Sequence, residues 1–182
     1  MSKNAGYYDV VASDFERVLG SVGPAQWLLE TPCDQWTARQ LACHVIETHR
    51  RALSILHGSA FREVQDRDDV VAAWVVANRD VRQARDNPAL ASKTVSGLGR
   101  DQSFKSLVEG LLTFDTLCHT WDLARATGQD ETLDPQAVQY AHDALTPVSN
   151  ALRGAGGYGP ALESAPEASA QTRFLNFTGR RV

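Results

Sequence analysis

The chain has 182 residues and a mass of 19.9 kDa, with 18 Lys plus Arg against 22 Asp plus Glu, for a formal charge of −4. That balance, with no basic run longer than two residues, disfavours both a general nucleic-acid binder and a polybasic membrane anchor. With 43% hydrophobic and 22% charged residues the composition is that of an ordinary globular chain, expected to form one domain over residues 1–182 and to bury about 70% of its unfolded surface.

Tyr8, Val11, Phe15, Val18 and Val22 recur at the spacing of an amphipathic helix over about residues 4 to 22, which Gly23-Pro24 ends. After a loop carrying Thr31-Pro32-Cys33, Thr37 and Gln40 form a capping box. Leu41, Val45, Thr48, Ala52 and Ile55 follow as the stripe of a second helix, stopped at Gly58. A third helix, with Asp68 as N-cap, carries Val71, Trp74, Val75, Asn78 and Val81 and must finish by Asn87, ahead of Pro88. The stretch from Thr94 to Gly99 reads as loop.

Ser103 caps a fourth helix that runs to Gly128 with Phe104, Leu107, Val108, Leu111 and Cys118 as its stripe. At roughly 24 residues it is about 36 Å long. Asp134-Pro135 opens a fifth helix with Val138, Ala141, Leu145, Val148 and Leu152 on one side, kinked or split by Pro147. A Gly/Pro/Ala-rich extended passage then leads to a short last helix over Ser169 to Phe177, anchored by Phe174 and Phe177. With no convincing pair of alternating strands, the expected fold class is all-α, an antiparallel four-helix bundle with an additional C-terminal helical segment.

The informative break in pattern lies on the fourth helix. With Phe104 at zero on a helical wheel, Asp115 falls at about 20° and His119 at about 60°, inside the apolar stripe, while Lys105, Glu109, Thr113, Thr116 and Thr120 take the opposite, solvated face. An ionised carboxylate buried alone costs several kcal/mol, so it is expected to find a salt bridge, a proton or a cation. His119 is one turn from Asp115, and His44 sits at the edge of the second helix's stripe, where it can face the fourth helix across the core. The three make two imidazoles and one carboxylate, the donor set of open catalytic zinc and of two-histidine iron sites. On spacing alone, the Asp–His pair is a weak signal that a simple hydrogen bond inside a bundle also explains, and His44 reads equally as a half-buried core histidine bonded to a backbone carbonyl.

Asp122, three residues beyond His119, can orient an imidazole from behind or ligate instead, Glu47 is a candidate for the same two roles, and either can serve as a nearby base for hydrolysis by metal-activated water. His49 and His57 are expected to be solvated, and His142 has no carboxylate one turn away. Cys43 and Cys118 point about 100° from their neighbouring histidines and do not share an ion with them. Trp36 and Trp121 read as packing residues. G-x-S-x-G and G-x-x-x-x-G-K-[ST] motifs do not occur, and Gly97-Leu98-Gly99 is too short for a dinucleotide loop.

The three cysteines, Cys33, Cys43 and Cys118, form no C-x-x-C pair, and an odd number argues against a closed disulfide framework. A reducing, cytoplasmic setting is expected, with neither a signal-peptide core nor the roughly 20 apolar residues that span a bilayer. The expected partner is a small-molecule substrate rather than nucleic acid or membrane, with a homodimer left open.

The segments Thr31-Pro32-Cys33-Asp34-Gln35-Trp36-Thr37 through Cys43-His44 and Asp115-Thr116-Leu117-Cys118-His119-Thr120-Trp121-Asp122-Leu123-Ala124-Arg125-Ala126-Thr127-Gly128 resemble the actinobacterial metal-binding family related to mycothiol-dependent maleylpyruvate isomerase, in the DinB-like superfamily. Tyr158-Gly159-Pro160 and Phe177-Thr178-Gly179-Arg180 resemble that family's ending. The resemblance implies a DinB-like four-helix bundle holding a divalent metal, usually zinc or nickel, at positions matching His44, Asp115 and His119. It also implies a thiol-using transferase or isomerase of a small electrophile, with mycothiol as cosubstrate; the alternatives are a metal-dependent hydrolase of small molecules and a metal or small-ligand binding protein without catalysis. In the isomerase the acid is Glu; Asp is one methylene shorter, which draws the metal toward the helix or leaves the carboxylate bound through water. The isomerase's additional C-terminal domain is not expected here, which separates this chain from that particular substrate.

Overall fold

A computed structural model describes residues 6–33, 36–96, 100–154 and 158–182, with all side chains in those ranges except at 151, 152 and 154. Helix α1 (Tyr7–Gly20) turns Tyr8, Val11, Phe15 and Val18 inward, as their spacing predicts, and Leu19 with them; Val22, expected in the same stripe, lies beyond the helix's end and is half-buried. Its N-cap is Gly6, and residues 4 and 5 of the expected helix lie outside the described residues. Pro24–Leu28 forms a short 3-10 turn. Helix α2 (Ala38–His57) begins at the expected capping box: Thr37 accepts from the Gln40 amide and Gln40 Oε1 accepts from the Thr37 amide. It ends on Gly58 at φ 64°, a left-handed conformation that glycine adopts without a Cβ penalty.

Helix α3 (Val70–Asp86) is capped by Asp69 rather than Asp68; the Asp68 carboxylate instead accepts from the Gln65 amide. Trp74, Asn78 and Val81 are buried, while Val75 is exposed. A one-turn helix, α4 (Pro88–Ala91), follows. Part of the expected loop is a minimal antiparallel hairpin, β1 (Thr94–Val95) with β2 (Gln102–Ser103); Gly97-Leu98-Gly99 lies outside the described residues.

The expected fourth helix is one rod in three parts: α5 (Phe104–Leu107), a π-turn over Val108–Leu112, and α6 (Thr113–Thr127) closed by Gly128 at φ 67°. The wide turn adds a residue without advancing the helix, so every wheel position beyond it is displaced. Leu112, not Leu111, is fully buried, and Thr113 Oγ1 reaches back to the Val108 carbonyl at 2.8 Å. Thr113, Thr116 and Thr120, expected on the solvated face, are all buried. A second cause is that α6 is covered on two sides.

One core joins α1, α2, α3, α5 and the π-turn and includes Leu123 and Ala124 of α6. The other packs Phe114, Leu117, Cys118 and Trp121 of α6 against Ala137, Val138, Ala141 and Leu145 of α7 (Pro135–Leu145) and Phe174 and Leu175 of α9 (Ala170–Phe177). A helix between two layers has little wet face, and two of its threonine hydroxyls turn to the helix's own carbonyls, Thr120 to Thr116 and Thr127 to Leu123, each at 2.7 Å, while the Thr116 hydroxyl is buried without a partner. Helices α1, α2, α3 and α6 close a ring of contacts, α1 on α6, α6 on α2, α2 on α3 and α3 on α1. The described residues are therefore all-α apart from the hairpin and one isolated bridge, Glu30 to Thr37. Pro147 splits the expected fifth helix, leaving a 3-10 turn over Thr146–Val148 and then α8 (Ser149–Gly154). Val148 is exposed rather than buried, and the Leu152 side chain lies outside the described residues.

Candidate metal centre

His44 comes from the second turn of α2, and Asp115, His119 and Asp122 from α6, all beyond the π-turn. Their mutual spacing is that of a regular α-helix, so one face carries all three. The ligand atoms of His44, Asp115 and His119 lie within 4.8 Å of one another. Asp115 Oδ1 is 3.2 Å from His44 Nε2 and 3.5 Å from His119 Nε2, and the two imidazoles meet edge-on at 5.1 Å between centroids. Asp122 stands behind: its Oδ2 is 2.9 Å from His119 Nδ1.

Trp36 is placed by the loop before α2, where Thr31 and Trp36 bond through their backbones and the capping box follows at once. Its ring lies 4.5 Å from His44 and 5.9 Å from His119. Trp36 thus packs on the imidazoles, whereas Trp121 is an ordinary core residue. Trp36, His44, Gln40, Arg39 and Glu47 also line an open cavity of about 540 Å³. Glu47 stands apart from the imidazoles' group, its carboxylate accepting from the Val64 amide at 2.8 Å and so tying down the chain after α2.

The electrostatics leave one oxygen unanswered. Burial pushes the Asp115 carboxyl up, yet His119 and His44 beside it hold it far below the usual carboxylate range. Burial likewise opposes charge on His119, but the Asp115 carboxylate and then Asp122 outweigh it and push the imidazole up to about 9. With no cation bound, a proton on His119 therefore balances Asp115. Even so, Asp115 Oδ2 is buried with no hydrogen-bond partner. A carboxylate with one oxygen unpartnered and the other facing two imidazole nitrogens suits a divalent cation, so these residues fit one.

A second group, Cys33 with His119 and Asp122, also lies within 4.8 Å, and Cys33 escaped the sequence reasoning because it sits in a loop outside any helical period. This group is less suited to an ion because Asp122 is already engaged: Arg180 Nε and Nη2 reach its Oδ1 and Oδ2 at 2.9 and 2.7 Å. Arg180 was also missed, lying 58 residues from its partner. Burial raises the Asp122 carboxyl, but His119 and Arg180 hold it below its ordinary value.

The remaining candidates divide. His49 is fully buried rather than solvated: its Nδ1 lies 2.8 Å from the Val45 carbonyl and its ring packs on Tyr8 and Trp74. His57 is exposed, and His142 packs on Phe177. Burial pushes the Cys118 thiol up to about 12 and raises that of Cys43, which makes both poor nucleophiles and poor ligands.

Fold and site together define an all-α protein with a two-histidine, one-carboxylate cluster able to hold a cation. Residues 9–124 match the family described as mycothiol maleylpyruvate isomerase N-terminal domain, and the chain belongs to that family. It is also 31% identical over 171 residues to two uncharacterized proteins of Mycobacterium tuberculosis, MT0763 (strain CDC 1551 / Oshkosh) and Rv0738 (strain ATCC 25618 / H37Rv), spanning 91% of this chain and 93% of theirs. No solved structure matches. Among the described residues no helix is long and apolar enough to cross a membrane.

Proposed function

We propose that the chain is a divalent-metal-dependent enzyme that uses a low-molecular-weight thiol, mycothiol being the family's own, in S-transfer to or isomerisation of a small electrophile. The observation that carries this is the buried Asp115 carboxylate, whose Oδ1 is shared by two imidazoles while its Oδ2 has no hydrogen-bond partner, with His44 in the wall of an open cavity. His44, Asp115 and His119 would hold zinc or nickel, and three protein donors leave room for an exogenous one. A cation held there supplies the positive charge that lets a thiol ionise at neutral pH.

The chain's own residues do the rest. Trp36 excludes water from one side of the imidazoles and offers a flat apolar surface to a ligand entering beside His44. Asp122 holds His119 from behind. The thiol gives up its proton to solvent and its sulfur forms the S–C bond; a proton then returns to carbon in an addition or leaves with the displaced group in a transfer, and in an isomerisation the S–C bond breaks again after rotation about the carbon–carbon bond, releasing the thiol. Hydrolysis is the weaker reading, since the bases it needs are occupied: Glu47 by Val64, and Asp122 by Arg180 and His119.

The test is zinc- or nickel-loaded protein incubated with mycothiol and a panel of electrophilic alkenes, epoxides and halides. Metal- and thiol-dependent conversion of an electrophile, with the thiol consumed in a transfer or regenerated in an isomerisation, is expected, and His44→Ala should abolish it. Loaded protein that neither binds nor consumes the thiol, or that turns over esters without it, contradicts the reading.

A further inference from the structure

We propose that Arg180, delivered by the C-terminal tail, is a positioning residue of the metal centre, acting through Asp122 on His119. This rests on the metal reading above. Asp122 is wholly buried, and its two oxygens are met by a two-pronged guanidinium at 2.9 and 2.7 Å, a geometry that fixes the plane of a carboxylate as a single point charge cannot. A carboxylate so paired only accepts, so the bond at 2.9 Å from His119 Nδ1 is donated by the imidazole. That assigns the N–H to Nδ1 and leaves Nε2, which faces Asp115 at 3.5 Å, as the ligating nitrogen.

The tail is built to deliver this side chain. After α9 the chain turns at Gly179, at φ 88°, and the Arg180 amide bonds back to the Leu175 carbonyl at 2.9 Å. A Cβ on Gly179 would meet Gly159 Cα at 3.0 Å and the Pro160 carbonyl oxygen at 3.1 Å, so residue 179 must be glycine for both backbone conformation and clearance. The segments Tyr158-Gly159-Pro160 and Thr178-Gly179-Arg180 are thereby two halves of one close backbone crossing, and that crossing aims Arg180 at Asp122. Both lie beyond residues 9–124, the span that matches the family.

Zinc affinity, by competition with a chromophoric chelator, and the visible spectrum of the cobalt-loaded protein test this on the full chain. Arg180→Gln should weaken zinc binding about 10- to 100-fold, the usual cost of removing a group that orients a ligand, and alter the cobalt bands. Arg180→Lys should recover part of the loss. Gly179→Ala, which keeps the arginine but displaces it, should resemble Arg180→Gln, and serves if that variant does not fold. Folded Arg180→Gln and Gly179→Ala proteins that bind zinc within about twofold of wild type with an unchanged cobalt spectrum, while His119→Ala loses the ion, overturn this inference alone; a lowered melting temperature without that loss of affinity does the same. Wild-type protein that takes up neither metal overturns the metal reading first, and this inference with it.

Discussion

Asp115 and His49 show how burial acts on charge at single residues. Asp115 keeps its charge because imidazoles face it, whereas His49 gives its charge up: burial lowers its pKa to about 4, outweighing the Val45 carbonyl and the Asp115 charge, which favour the proton, while His44 opposes it. In the unfolded chain it titrates near its ordinary value of 6.5. The unfolded state therefore binds a proton that the folded state refuses, and stability present above about pH 6.5 falls as pH drops toward 4, by about 3 kcal/mol in all. Urea denaturation at stepped pH should show that slope in wild type and a flatter one in His49→Leu; identical slopes contradict it. At His44, about a third exposed, truncation costs little packing. His44→Ala should shift the thermal midpoint of metal-free protein by no more than about 3 °C while losing the ion.

Among the elements, the caps of α2 and α6 were legible because Thr37, Gln40, Gly58 and Gly128 are local signals with local consequences. Thr37→Ala should cost about 1 kcal/mol in urea denaturation, and it loosens the turn that carries Trp36; a neutral result means that tertiary packing alone holds the turn. The π-turn at Val108–Leu112 was not legible. Nothing in its sequence distinguishes it from a regular turn, and it exchanged Leu111 for Leu112 in the core and upset the predicted wet face of α6. The cluster survived that error because Asp115, His119 and Asp122 all follow the turn and share its displacement. The wide turn also directs Glu109 at the start of α1, where a Cβ on Gly6 would lie 2.6 Å from its carboxylate. His49 was misplaced for a related reason: α2 packs against both α3 and α6, so its buried face is wider than one stripe. That Arg180 and Cys33 reach the site was not legible, although both lie in segments that resemble the family, because loops bring them there and no period constrains a loop.

Across the whole molecule, α6 ties two cores together. Trp121, Phe114 and Leu117 depend on α7 and α9 for cover, so a chain ended at Gly128 would expose large apolar side chains, each worth about 1.5–3 kcal/mol when buried. Such a truncation should aggregate or lose its near-ultraviolet circular dichroism. A monodisperse, cooperatively melting fragment would show that the first core stands alone. The most direct test of the central claim is elemental analysis of the purified full-length protein beside its His119→Ala variant. The account predicts about one divalent transition-metal ion per wild-type chain and almost none in the variant; wild-type protein without metal after incubation with zinc and nickel, or a variant that keeps its ion, would contradict it.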